Sequence, residues 1–127
     1  MLRFLILGLV VTLLCACQTR DEHFYRVNPK ALQEAVENCP AEQPSGLTCD
    51  QINAIVNEVN LLATELHRNP QAFGQKIIAL QTELANLQLE LKKNPGKAEI
   101  VKSIESINLQ LAMRLAIVKW LESPESR

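Results

Sequence analysis

The hydrophobic positions from Lys97 to Leu121 form two stripes along what their spacing predicts to be one long helix. The first stripe recurs at steps of three and four residues, as one face of an amphipathic helix does. It consists of Ile100, Ile104, Ile107, Leu111, Leu115 and Val118. The second stripe lies on the other side and consists of Leu109, Met113, Ala116 and Trp120. Because a surface helix needs only one apolar stripe, we expect this helix to be covered on both sides.

Two earlier segments carry a single apolar seam each, and a third segment is shorter. Cys49–Arg68 and Pro70–Lys93 repeat apolar residues at helical steps, and Pro29–Asn38 directs a few small and aliphatic side chains inward. The seam of Cys49–Arg68 consists of Ile52, Ile55, Val59, Leu62 and Leu66. The seam of Pro70–Lys93 consists of Phe73, Ile77, Leu80, Leu84, Leu87 and Leu91. The inward positions at the short helix are Leu32, Ala35, Val36 and Cys39. Gly74 lies in the first turn of the second seam, where glycine costs about 1 kcal/mol relative to alanine. It therefore indicates a close helix crossing or a contact with a partner.

Polar residues and prolines mark where these helices begin. The pairs Asn28-Pro29, Asn69-Pro70 and Asn94-Pro95 each combine a good N-cap with a residue suited to the first helical position. Thr48 followed by Gln51 has the spacing of a capping box. Short turns between long helices produce antiparallel neighbours, and no window alternates with the period of a strand. The prediction is an all-α fold, a small antiparallel helical bundle of three long helices plus one short helix stapled by a disulfide.

The N-terminus has the pattern of a bacterial lipoprotein signal. A basic start precedes the apolar run Phe4–Leu14, which has the length of a signal peptide and is too short to span a bilayer. Leu14-Cys15-Ala16-Cys17 then matches the lipobox, in which the last cysteine receives diacylglycerol. Lipidation of Cys17 is the prediction, and ordinary cleavage after Ala16 with a free Cys17 is the alternative. Gln18, in place of the Asp that retains many lipoproteins in the inner membrane, favours the outer membrane.

These features divide the chain into a signal peptide over 1–16, a lipidated tether over 17–27, a helical bundle domain over 28–122 and a C-terminal tail over 123–127. Within the tether, Phe24 and Tyr25 form a small aromatic patch. We expect this patch to dock on the domain, and the alternative is a position at the membrane interface.

Processing before Cys17 leaves Cys39 and Cys49 as two thiols in an oxidising compartment. Such a pair predicts a disulfide, which would contribute roughly 2–3 kcal/mol by the chain-entropy argument. Two free buried cysteines are the alternative.

The residues do not assemble into a recognisable catalytic or metal site. His23 lies in the predicted tether, and His67 lies in the last turn of a predicted helix, where a cation suits the helix dipole. The formal net charge is −1 and no basic patch is present, which argues against a nucleic-acid partner. We therefore expect a protein that is not an enzyme and that has no cofactor and no metal ion.

Binding of a partner is the remaining class of function, and the second stripe of the Lys97–Leu121 helix is the best candidate surface. The short helix could cover it through Leu32 and Val36, or the stripe could form an oligomer or partner surface. Because the short helix is smaller than the stripe, the end near Trp120 is the part expected to stay open. The predicted partner-binding residues are Met113, Ile117, Trp120 and Leu121.

Three short motifs together resemble one family of exported proteins. They are Asn38-Cys39-Pro40, Thr48-Cys49 at a helix start, and the run from Asn69 to Gln75 followed by Ile78-Ala79-Leu80-Gln81. They are similar to the EirA family, which is associated with the Dot/Icm (type IVB) secretion system of intracellular bacteria. The resemblance covers roughly Pro29–Leu87, and it implies a non-enzymatic periplasmic accessory factor for effector delivery. The lipobox departs from this pattern, because it anchors the protein to a membrane.

Two functions follow as expectations. The first is a periplasm-facing lipoprotein that acts as an accessory or structural factor of a cell-envelope assembly, such as type IVB secretion. Its partners would be the membrane, through the lipid, and either an envelope protein or a second copy of itself. The alternative is a small lipoprotein that binds a hydrophobic ligand or acts as an inhibitor. A soluble periplasmic protein is the alternative localisation.

Overall fold

The computed structural model describes residues 20–41 and 46–123. These residues form helices α1 (Glu22–Arg26), α2 (Pro29–Asn38), α3 (Cys49–Arg68), α4 (Pro70–Lys93) and α5 (Ala98–Glu122), and within those two ranges there is no strand. Helices α3, α4 and α5 are the three long helices of an antiparallel bundle, and α2 is joined to it by the Cys39–Cys49 disulfide. The all-α prediction and its stapled short helix are confirmed.

Capping explains most of the helix starts. The Thr48 hydroxyl accepts a hydrogen bond from the Gln51 backbone N–H, and the Gln51 side chain accepts one from the Thr48 N–H, which completes the capping box. The Asn69 side chain accepts from the Ala72 N–H at 3.0 Å and so caps α4. Asn28 precedes α2 but instead donates to the Phe24 carbonyl oxygen at 2.7 Å, which ties α2 to α1.

The third Asn-Pro pair behaves differently from the prediction. Asn94 ends α4, Pro95 and Gly96 form a turn, and α5 begins at Ala98 with Lys97 as its N-cap. A proline at the second position of a turn is as well accommodated as one in the first turn of a helix. An Asn-Pro dipeptide alone therefore does not distinguish a turn from a helix start.

The segment predicted as a tether contains a short docked helix. Residues 22–26 form α1, whose N-terminus is capped by the Asp21 carboxylate at 2.9 Å from the Phe24 N–H. The Tyr25 side chain is only 2% exposed and belongs to the core, and Phe24 packs against that core. The packed domain therefore begins near residue 21 and not at residue 28, and of the two positions considered for the aromatic patch, docking is the one observed.

The core divides into two clusters. The proximal core joins α1, α2, α3 and the C-terminal part of α5, and the distal core joins the middle of α4 to the middle of α5. Their buried members are Tyr25, Leu32, Ala35, Ile52, Ile55, Val59, Met113 and Ile117 in the proximal core, and Leu80, Ile107 and Leu111 in the distal core. Helices α4 and α5 pair most extensively, so they form a hairpin on which the other helices pack at one end.

Two expectations about individual side chains require correction, and one of the two interpretations of Gly74 is ruled out. Val36 was expected to face inward but is 37% exposed, and Leu115 of the first stripe is 50% exposed. A Cβ atom built on Gly74 would meet no atom within 4 Å. The glycine therefore does not serve a close helix crossing within the described part of the chain.

The disulfide closes the loop between α2 and α3. Cys39 follows the last residue of α2, Cys49 is the first residue of α3, and their Cα atoms are 6.0 Å apart, within the usual range for a disulfide. The predicted bond is confirmed. It holds the end of α2 beside the start of α3, and this positions α2 over the proximal core.

Candidate functional site

The four residues predicted to contact a partner separate into two pairs. Met113 is 6% exposed and Ile117 is 1% exposed, and both lie in the proximal core with Leu32 of α2 and Ile55 of α3. These two residues are therefore not available at the surface. Trp120 is half-buried and Leu121 is 45% exposed, so the accessible part of the predicted surface is the last turn of α5.

An apolar groove lies at this end of the molecule, between α2, α3 and α5. Its volume is about 350 Å³. Each of the three helices contributes a wall, and Trp120 and Leu121 belong to the wall formed by α5. The lining consists of Pro29, Leu32, Gln33 and Val36 from α2, Val56, Val59, Asn60 and Ala63 from α3, and Ile117, Trp120 and Leu121 from α5. Among the residues that the structure describes, no charged side chain lines the groove.

The polar members of the groove lie at its edge. Gln33 and Asn60 are exposed amides, whereas Leu32, Val59 and Ile117 are buried and form the floor. An apolar floor with amides at the rim can bury an aliphatic surface and still offer hydrogen bonds to the polar flank of the bound group.

A second depression shares two residues with the groove. It has the same volume of about 350 Å³, and Pro29 and Trp120 line both cavities. Its remaining lining is more polar and includes Lys30, Glu34 and Lys119. Trp120 therefore stands at the boundary between an apolar surface and a mixed-charge surface. Tryptophan at such a boundary is frequent in protein interfaces, because its ring is largely apolar and its N–H is a donor.

Sequence reasoning missed the contribution of α3 to this site. Val56 and Ala63 lie outside the predicted seam of α3, and the structure places them beside α2 and α5 in the groove. Their neighbours depend on where α2 crosses α3, and no periodicity within α3 encodes that crossing. The length of α2, which has ten residues against 25 in α5, was the one available signal that part of the stripe stays uncovered.

Two arginines fix the helices around the groove. Arg26 of α1 donates from Nε and Nη2 to the two carboxylate oxygens of Glu58 on α3, at 2.8 and 3.2 Å, and from Nη1 to Glu22. The hydrogen bond from Arg26 lowers the pKa of Glu58, partly opposed by burial, and the same hydrogen bond raises the pKa of Arg26. Helix α1 is thus attached to α3 by a charged clamp in addition to Tyr25.

The second arginine, Arg114 of α5, is buried between the two cores. Along α5 it lies between Leu111 of the distal core and Ile117 of the proximal core. Its Nη1 and Nη2 atoms donate to the two carboxylate oxygens of Glu65 on α3, both at 3.1 Å. The guanidinium carbon lies 4.7 Å from the centre of the Phe73 ring on α4. One side chain therefore connects the three long helices where they meet.

The remaining predicted features concern the lipid anchor, the C-terminal tail, a metal site and a membrane-spanning helix. Cys17, the signal peptide over 1–16 and residues 124–127 of the predicted tail lie outside the described residues. Across 20–41 and 46–123, His, Cys, Asp and Glu side chains form no group of three or more that could hold a metal ion. In the same ranges, none of the helices is both long enough and apolar enough to cross a membrane.

Comparisons with models of protein families, with curated proteins and with solved structures find no match to this chain.

Proposed function

We propose that the protein is a non-enzymatic, periplasm-facing lipoprotein that serves as an accessory factor of a cell-envelope assembly. In this proposal the lipid on Cys17 holds the domain at the membrane, and the groove between α2, α3 and α5 binds an amphipathic helix of an envelope protein. The observation that carries the proposal is the uncharged groove with Trp120 at its edge and a mixed-charge surface beside it. The resemblance to the EirA family suggests type IVB secretion as the assembly.

The shape and chemistry of the groove support a helix as the occupant. Three helices form its walls, and an amphipathic helix can place apolar residues at successive turns against such a floor. Gln33 and Asn60 at the rim can pair with polar groups beside that apolar stripe. Lys30, Glu34 and Lys119 next to Trp120 offer both signs of charge to the rim of the complex.

A deletion strain provides the first test. The wild-type gene and a Gln110→Glu control, which changes an exposed residue in the α4–α5 hairpin away from the groove, should restore effector translocation. A Val36→Glu variant places a charge in the groove at an exposed position. It should leave the circular dichroism of the domain unchanged and fail to restore translocation. Normal translocation by the deletion strain would refute the secretion role, and full rescue by Val36→Glu would refute the groove.

The anchor is tested separately. Metabolic labelling with a fatty acid should label the wild-type protein and not a Cys17→Ser variant. If both carry the same label, the lipid is not on Cys17.

A second candidate function uses the same groove. A volume of about 350 Å³ lies at the small end of the range for ligand pockets, about 300–1,000 Å³, and the floor is aliphatic. A bound hydrophobic molecule detected by native mass spectrometry of the wild-type protein, and lost in Val36→Glu, would favour this alternative over a partner helix.

A further inference from the structure

The two flanks of the α4–α5 hairpin differ in chemistry. On one flank, Lys76 and Glu83 of α4 lie beside Ser103 and Gln110 of α5 and line a polar depression next to the distal core. Helical geometry places the residues on the opposite side of each seam on the other flank. On α4 these are Gly74, Ile78, Gln81, Ala85 and Gln88, and none of them carries a charge.

Helix α5 continues the same chemistry across the seam. Its residues on this part of the flank are Val101, Glu105, Asn108, Ala112 and Leu115, of which Glu105 is charged. Lys92 of α4 and Lys119 of α5 continue the flank one turn further at its two ends. We call the residues from both helices the amide-aliphatic face. Ile78 is 63% exposed and Leu115 is 50% exposed. The face lies away from Met113 and Ile117, which direct α5 toward α2 and α3 on the other side.

Gly74 gives an independent indication that another chain approaches this face. Glycine disfavours a helix, and the open space above Gly74 shows that packing against the described residues does not require it. A second backbone that approaches closely would require it, because a side chain there would hold the two helices apart.

We propose that the amide-aliphatic face is the interface through which two copies of this chain associate as a four-helix dimer of α4–α5 hairpins. A twofold axis brings the same patch of both copies together, so a patch rich in charge of one sign would repel itself. The amide-aliphatic face is nearly uncharged, and its glutamines and asparagine both donate and accept hydrogen bonds. It is therefore self-complementary. On the flank with Lys76 and Glu83, the twofold axis would instead bring a charged side chain of one copy close to the same side chain of the other copy.

The area of the face suits a weak, reversible dimer. The fifteen residues of α4 from Gly74 to Gln88 span about 22 Å at 1.5 Å per residue. Two helices packed about 8–10 Å apart present a surface roughly 20 Å wide. The face therefore offers about 450 Å² per copy, or about 900 Å² in total, which lies in the range of weak, transient interfaces.

The association does not depend on the groove between α2, α3 and α5. The hairpin face and the groove share no residue, so a dimer leaves Trp120 and the apolar floor available. Failure of the dimer would leave the proposed function intact, and the reverse is also true.

Cysteine crosslinking of the full chain in bacterial cells tests the proposal. Gln81 lies next to Leu80 near the middle of the hairpin, where a residue close to the twofold axis meets its own copy. Mild oxidation of Gln81→Cys should produce a species of twice the chain mass on a non-reducing gel. Gln110→Cys, on the polar flank, should give no more of this species than the wild-type protein, which also controls for Cys15 and Cys17.

A second substitution tests the face itself. Ile78→Glu in the Gln81→Cys background should abolish the crosslink, and Ser103→Glu should leave it unchanged. Since the twofold axis introduces each charge twice into an apolar contact, Ile78→Glu should raise the dimer dissociation constant of the detergent-solubilised chain by at least about a hundredfold, measured by sedimentation. Circular dichroism of both variants should match the wild-type protein.

Three results would overturn the proposal. They are a monomer at all concentrations for the wild-type protein, a crosslink that survives Ile78→Glu, and a crosslinked species of another mass. The last result would assign the amide-aliphatic face to a different protein.

Discussion

The buried arginine between the two cores leads to a quantitative prediction. Arg114 has a side chain that is 9% exposed, and its carboxylate partner Glu65 is 43% exposed. Glu65→Ala removes the carboxylate and leaves the guanidinium buried over the Phe73 ring. Arg114→Met removes the charge and keeps most of the buried aliphatic volume, and the Glu65 carboxylate can then be hydrated. The first change should destabilise the fold more than the second.

The magnitudes follow from the exposure of the pair. Breaking a fully buried ion pair costs about 3–5 kcal/mol, and an exposed pair contributes only about 0.2–1 kcal/mol. Since Glu65 is partly exposed, Glu65→Ala should lower the free energy of unfolding by about 1.5–3 kcal/mol. Replacement of a buried ion by an apolar residue of similar volume is often close to neutral, so Arg114→Met should cost below about 1 kcal/mol by the same reasoning.

Urea unfolding of the oxidised protein measures both changes. Circular dichroism reports the helices, and fluorescence of Trp120, the single tryptophan of the chain, reports the proximal end. Glu83→Ala, which alters an exposed glutamate of the hairpin, is the control. Equal or greater destabilisation by Arg114→Met than by Glu65→Ala would refute the reasoning, because the ion pair and not the orphaned charge would then be the dominant contribution.

Two further predictions concern the attachment of α1. Tyr25→Ala should lower the free energy of unfolding by about 3–5 kcal/mol, the usual range for a buried aromatic residue. Phe24→Ala should lower it by less in the same urea assay. Equal effects would mean that α1 is not docked through Tyr25. The Arg26 hydrogen bond lowers the pKa of Glu58 from its ordinary value of 4.5, so the stabilisation from this pair is present above that pH and is lost as the pH falls through the lowered pKa. The difference in urea midpoint between the wild-type protein and Glu58→Gln should therefore shrink below about pH 4.5, and a difference that is constant with pH would contradict the assignment.

Local signals were sufficient for most of the helix boundaries. The periodic seams, the capping box at Thr48 and the cap at Asn69 act within a few residues of one another, so they can be recognised in one dimension. The disulfide could be predicted for a similar reason, because the predicted signal and lipidation account for Cys15 and Cys17, and the other two cysteines are separated by a short loop. Asn94-Pro95 shows the limit of such signals, since the same dipeptide serves a turn as well as a helix start.

The candidate site could be predicted only in part. Trp120 and Leu121 were identified as the open end of the second stripe, and the structure places both in the groove. Met113 and Ile117 were assigned to the same surface, but they are buried against α2 and α3. The stripe showed that the helix needed two partners, and it could not show where along its length each partner ends.

The short helix α1 is the clearest case of tertiary control. Five residues are too few to form a stable helix by themselves, so the segment reads as a polar tether. Its order depends on Tyr25 in the proximal core and on the Arg26–Glu58 pair, whose members are 32 residues apart in the chain.

By itself, the amino-acid sequence determined the fold class, the long helices with the caps at Thr48 and Asn69, and the disulfide, because those features depend on neighbours a few residues away or on the elimination of other pairings. Only the tertiary structure decided which side of each helix is covered. It buried Met113, exposed Val36 and Leu115, placed Arg114 between two cores and left the amide-aliphatic face open. Those outcomes depend on crossing points between helices that are distant in the chain, and periodicity contains no information about where two helices cross.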